Sequence, residues 1–107
     1  MALDLSAYNA PIATLKKTTH ATAGNLDVLT LPTWCKVLTI LAAGTGTIKL
    51  TYTGAQNAAI GTDYFPIAAG GSLKLKAIQL GGYPLRITST VNSDPICFIL
   101  ESAIEAL

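Results

Sequence analysis

One histidine, two cysteines and six carboxylates are the residues of this 107-residue chain suited to acid–base, nucleophilic or metal chemistry. A general acid/base pair needs two titratable groups brought together in environments that set their proton affinities apart. Asp4 and Glu105 fall in terminal segments, and Asp94 precedes Pro95 in a turn, where an aspartate serves local hydrogen bonding. Glu101 closes an apolar run, and nothing in the spacing of Asp27 and Asp63 brings them together. His20 stands alone in TTHATAG, read here as an exposed stretch. Neither a GxSxG elbow nor a family-specific cysteine context supplies it with a nucleophile. Zinc needs several His or Cys ligands, and the supply is too small. The expectation is no catalytic residue, no metal, no cofactor and no enzyme, with His20 solvated.

The cysteines and glycines read the same way. Cys35 and Cys97 form no CxxC or Cys/His pattern, and each sits in an apolar run, so both are expected as free, core-type thiols. AAGTGTIKL has a GxG without the third glycine, the following helix or the acidic ribose partner of a dinucleotide site, and AAGGSLKL lacks a Walker lysine. Both are expected to be hairpin turns.

The elements that would position such groups are short. From Asn25 onward, apolar runs alternate with turn signals at the spacing of a β-sandwich. The runs are LDVLTL (26–31), CKVLTILA (35–42), TIKLTYT (47–53), DYFPIA (63–68), SLKLKAI (72–78), PLRITST (84–90) and PICFILE (95–101). Before them stands an Ala/Thr-rich arm, residues 1–24, with one short strand, IATL at 12–15. The predicted fold is all-β: a single antiparallel β-sandwich over residues 25–107, jelly-roll-like, of about eight strands with the arm strand included. The tail ESAIEAL (101–107) has the pattern of a helical turn or two, and is too short to hold alone.

The faces separate two kinds of strand. TIKLTYT puts Ile48, Leu50 and Tyr52 on one side and Thr47, Lys49, Thr51 and Thr53 on the other. SLKLKAI sets Leu73 and Leu75 against Lys74 and Lys76, and PLRITST sets Leu85 and Ile87 against Arg86, Thr88 and Thr90, so each has one wet face. CKVLTILA and PICFILE are apolar on both sides: Val37 and Leu41 oppose Leu38 and Ile40, and Ile96, Phe98 and Leu100 oppose Cys97 and Ile99. A second face must be covered, and in a chain this short another subunit is the expected cover. Leu38, Ile40 and Ile99, with Ile12 and Leu15 of the arm strand, are the interface candidates.

Composition agrees. The chain is 50% hydrophobic and only 12% charged, with mean hydropathy +0.48, where about 25% charged is usual. Part of the surface is therefore expected to lie against other protein. A net charge of +1 gives a weak overall field, which argues against nucleic-acid or membrane binding by charge. The amino terminus lacks the order of a signal peptide, so cytoplasmic synthesis is expected. Among small ligands, a sugar stacked on exposed aromatics is the alternative, with Trp34 and Tyr64 as its platform.

The stretches NLDVLTLPTWCKVLTILAAGTGTIKLTYTG, FPIAAGGSLKLKAI and PLRITSTVNSDPICFILE resemble small virion proteins of tailed bacteriophages, the capsid decoration or cement proteins and related β-sandwich head and tail components. The resemblance spans residues 25–101, is one of pattern, and carries over no functional residue. It implies a non-enzymatic protein of the capsid surface that forms a homo-oligomer, a trimer by preference, and binds the major capsid protein or another virion protein. On that reading the small-residue loop 54–62 packs closely or is displayed, with Gln56 and Asn57 hydrogen-bonding across an interface. The alternative is a carbohydrate-binding module of a phage fibre or a lectin-like protein.

Overall fold

The computed structural model describes residues 3–4, 13–76 and 85–102, with backbone alone for Leu3, Asp4, Ala13, Thr14 and Lys16. Among these residues the chain is all-β: β1 (Leu3–Asp4), β2 (Ala13–His20), β3 (Asp27–Thr30), β4 (Val37–Ala42), β5 (Ile48–Thr51), β6 (Phe65–Ile67), β7 (Ser72–Lys76), β8 (Arg86–Ser89) and β9 (Asp94–Glu101). Each predicted run from residue 26 onward overlaps one of these strands. Ile12, the end of the SLKLKAI run and the predicted tail helix beyond residue 102 lie outside the described residues.

The strands form two layers. One sheet has the order β2-β9-β4-β7, the other β1-β3-β8-β5-β6. All pairs are antiparallel except the two-residue β1, which runs parallel to β3. The pairs β2–β9, β3–β8, β4–β7 and β5–β6 are nested. Such nesting results when one long hairpin is wound over itself, first strand beside last and middle strands at the tip. AGTG and AAGG therefore carry the chain from one sheet to the other, β4 to β5 and β6 to β7, and are not the hairpin turns expected of them. The adjacent-strand connection that stays within a sheet is β5 to β6.

The core lies between the layers. Leu38, Ile40, Ile96, Phe98 and Leu100 come from one sheet and Leu29, Ile48, Leu50, Ile67 and Ile87 from the other. The strict burial alternation of β9, buried at each even position from Asp94 to Leu100, is that of a strand with one face on this core. Tyr52, expected inward with Ile48 and Leu50, is half exposed because β5 ends at Thr51. Thr88, expected outward, is fully buried, and the reason lies in His20.

β2 is the largest departure from the sequence reading. The short arm strand of 12–15 is an eight-residue strand, paired along its whole length with β9 from Ala13↔Glu101 to His20↔Asp94. Residues 13–20 are thus an integral edge of the four-stranded sheet. Thr and Lys on its solvated side hid it in a composition that reads as linker.

Candidate functional site

The chemistry-bearing residues do converge, but into a closed knot. His20 is 1% exposed, which corrects its expected solvation. Its Nδ1 lies 2.7 Å from Asp27 Oδ2, and its Nε2 lies 2.6 Å from Thr22 O and 3.0 Å from Thr88 Oγ1. Asp27 Oδ1 accepts from Gln56 Nε2 at 2.7 Å, and Gln56 Oε1 accepts from Val28 N at 2.8 Å.

A hydroxyl, an imidazole and a carboxylate in a row resemble a nucleophile–base–orienter triad. The proton positions exclude that use here. A backbone carbonyl only accepts, so Nε2 carries a proton and donates it to Thr22 O. It cannot then take the Thr88 hydroxyl proton, which a general base must do. The knot ties the β2–β3 turn, the loop after β5 and β8 into one unit.

A second knot shares its rung, because His20 and Asp94 are cross-strand partners. Ser89 Oγ donates to Asp94 Oδ2 at 2.6 Å and accepts from Val91 N at 3.2 Å. The AGTG turn closes over this carboxylate. A Cβ at Gly44 would overlap Asp94 Oδ1, and one at Gly46 would stand 2.7 Å from Asp94 Oδ2. The glycines of the GxG motif thus admit a buried aspartate rather than a phosphate. Asp94 makes the local hydrogen bonding expected of it, and does so as a buried residue at the start of β9. No group of three or more His, Cys, Asp or Glu that could hold a metal occurs among the described residues.

The loop after β5 is equally committed. Leu26 N donates to Ala58 O, Asn57 N to Leu26 O and Ile60 N to Gly24 O, at 2.7–2.9 Å. Arg86 Nε and Nη1 donate to Gly54 O and Tyr52 O at 2.8 and 2.9 Å. A Cβ at Gly54, whose φ is +112°, would meet Leu26 Cδ1 at 2.5 Å. The small residues of this loop permit close packing, as expected, but against residues 24–28 of the same chain. Gln56 spends both ends of its amide inside the protein, which corrects its expected role across an interface. Asn57 is exposed in a left-handed conformation, φ 67°.

Among the described residues, no second layer lies over the outer face of the four-stranded sheet. Register places Leu15, Ile99, Thr39 and Lys74 in one rung across β2, β9, β4 and β7, and Lys17, Cys97, Leu41 and Ser72 in the next. Residues in a rung share a face. Leu15 is 67% exposed, and Ile99, Cys97, Leu41 and Thr39 are half-buried. An apolar strip therefore crosses the sheet, with Lys17 at the β2 side, Lys74 and Lys76 at the β7 side, and Glu101 at one end.

Ile99 and Leu15 stand on this surface. Leu38 and Ile40 do not: both are 0% exposed and point into the core, and Leu41 takes their place on the outer side. Of the ligand-platform residues, Trp34 is half-buried against the core, and Tyr64 carries Lys49 Nζ 4.5 Å from its ring centroid. Tyr52 and Phe65, outside that platform, are both more than half exposed beside an apolar cleft.

Both cysteines are free thiols, as expected. Cys35 is buried, its thiol donating to Val37 O at 3.4 Å, and burial pushes its pKa up. Cys97 is half-buried on the outer face rather than in the core. Comparison with family models, curated proteins and solved structures finds no match to the chain.

Proposed function

We propose that this chain is a non-enzymatic structural protein of a virion, a jelly-roll-type sandwich that docks through the outer face of its four-stranded sheet onto a neighbouring shell protein. The observation that carries the reading is the apolar strip Leu15, Ile99, Cys97 and Leu41 on a face over which the described residues place no second layer. The nested strand order supports the jelly-roll description. The commitment of His20, Asp27 and Thr88 to internal hydrogen bonds supports a role without catalysis.

Charge and size define the partner further. Two copies of this face set against each other would oppose lysine to lysine along both rims. An acidic surface on a different protein is the better complement. The homotrimer implied by the resemblance would then form through other surfaces of the molecule. Four strands spaced about 4.8 Å apart, each offering about five residues at roughly 3.3 Å, present about 300 Å² in projection. A stable standard interface buries about 800 Å² per partner. Docking is accordingly weak per copy and gains strength from many copies on a repeating shell. The carbohydrate reading draws less support, because Trp34 packs against the core, Lys49 Nζ sits over the Tyr64 ring and the apolar cleft offers a sugar few polar partners.

The test is addition of the purified chain to phage heads assembled without it. The expected result is uptake that raises the melting temperature of the heads, weakens with salt, and is lost in Ile99→Asp. Uptake unchanged by that substitution would refute the assignment of this face.

A further inference from the structure

Among the described residues the two sheets present four edge strands, and they are not alike. β1 has two residues, and β6 has three with Pro66 in the middle, so neither offers a row of backbone groups to another chain. β7 has five, with Lys74 and Lys76 at alternate positions. β2 has eight, no proline, and a register with β9 that runs without a bulge from Ala13↔Glu101 to His20↔Asp94. No described strand lies along its other side. A regular edge of this length is a template for one more strand.

The residues of β2 define which strand fits. In the rung Leu15, Ile99, Thr39 and Lys74, Ile99 has a neighbour on either side and is half-buried, whereas Leu15 has one and is 67% exposed. A residue set beside Leu15 from a further strand would complete the rung. Lys17, on the same face two positions on, is exposed as well. A second copy of β2 does not fit: paired antiparallel about its centre, it would set Lys16 opposite Lys17, and like charges directly opposite destabilise a sheet. The carboxylates in register with β2, Glu101 beside Ala13 and Asp94 beside His20, lie at its two ends, and Asp94 is buried with Ser89. A carboxylate beside Lys17 is left for the incoming strand to supply.

We propose that β2 takes up an extended segment of a partner protein as a fifth strand of this sheet, with an apolar residue beside Leu15 and a carboxylate beside Lys17. The added strand runs antiparallel, like every other pairing in the sheet. The proposal rests on the docking reading above for the nature of the partner and on the edge itself for the chemistry. An eight-residue strand is about 26 Å long. Pairing it brings backbone hydrogen bonds and contact area to a face that falls well short of a standard interface by itself.

The experiment is an NMR titration of the intact chain, without phage heads, with the capped peptide Thr-Thr-Thr-Glu-Thr-Val-Thr-Thr. Laid antiparallel, it sets its valine beside Leu15 when its glutamate is beside Lys17. One control peptide has lysine in place of the glutamate, and another has proline in place of the second and third threonines. The expected result is saturable shifts of the Leu15 methyls and the β2 amides, with slowed hydrogen exchange at alternate β2 amides. The lysine peptide should bind about tenfold more weakly, and the proline peptide should not bind. Lys17→Glu should reverse the preference between glutamate and lysine peptides. Leu41→Ser, on the docking face two strands away, should leave peptide binding unchanged while weakening attachment to heads, so that edge and face can fail separately. Equal binding of the two charged peptides, binding of the proline peptide, or no saturable shift along β2 would overturn the proposal.

Discussion

The two faces of the four-stranded sheet are built from the same strands and are both apolar, yet they behave differently. On the inner side Leu38, Ile40, Ile96, Phe98 and Leu100 are wholly excluded from water. On the outer side Leu41, Cys97 and Ile99 are only half-buried, and Leu15 is two-thirds exposed. Among the described residues, the inner face has the other sheet to cover it and the outer face has no second layer. Apolar residues therefore carry two messages here: one set specifies the fold, the other what the folded domain meets. Substitutions on the inner side should cost stability, and those on the outer side should cost docking.

The largest stability effect is expected at the centre of the inner face. Phe98→Ala leaves a cavity and should lower unfolding free energy by about 3–5 kcal/mol, read by denaturant melts. An equal loss on Ile99→Ala would erase the contrast between the faces.

Next comes the knot at the end of the sandwich. His20→Ala removes the ring nitrogen 2.7 Å from the Asp27 carboxylate, whose side chain is 9% exposed, and leaves Gln56 as a remaining partner. Removing one partner of a buried pair costs about 3 kcal/mol. The nitrogen shifts of the His20 ring should show a proton on Nε2. A bare Nε2 would return the Thr88–His20–Asp27 row to consideration as catalytic.

Smaller again is the effect of pH through Cys35. Its folded pKa is raised by burial above the ordinary thiol value of 9.0. Above that value the unfolded chain releases a proton that the folded chain retains, so the contribution is intact below it and is lost progressively as pH rises. Cys35→Val should flatten this alkaline slope, and a thiol reagent should label Cys97 well before Cys35. The smallest effect on stability belongs to Leu15→Ser, expected within about 0.5 kcal/mol of the parent, although it should weaken docking.

Much of this was readable from the sequence, for reasons tied to particular residues. Period-two patterns such as TIKLTYT and PICFILE specify strands because each must turn one face to a core. The doubly apolar character of CKVLTILA and PICFILE correctly marked strands with a second apolar face. Parity alone, however, does not say which side of β4 meets the other sheet, and Leu38 and Ile40 were placed on the wrong one. The His20 knot was invisible because Asp27 and Thr88 lie 7 and 68 positions from His20 along the chain, and Gln56 lies 29 from Asp27. One signal was present: an aspartate and a glycine pair, Asp94 with Gly44 and Gly46, where a buried carboxylate requires neighbours without a Cβ.

The measurement that bears most directly on the proposed docking is co-sedimentation of the intact chain, and of Ile99→Asp folded to the same melting profile, with tailed-phage heads assembled without it. The docking face assigned here predicts that the parent binds, that salt weakens it, and that Ile99→Asp remains in the supernatant. Equal binding of both chains, or binding of neither, would contradict it.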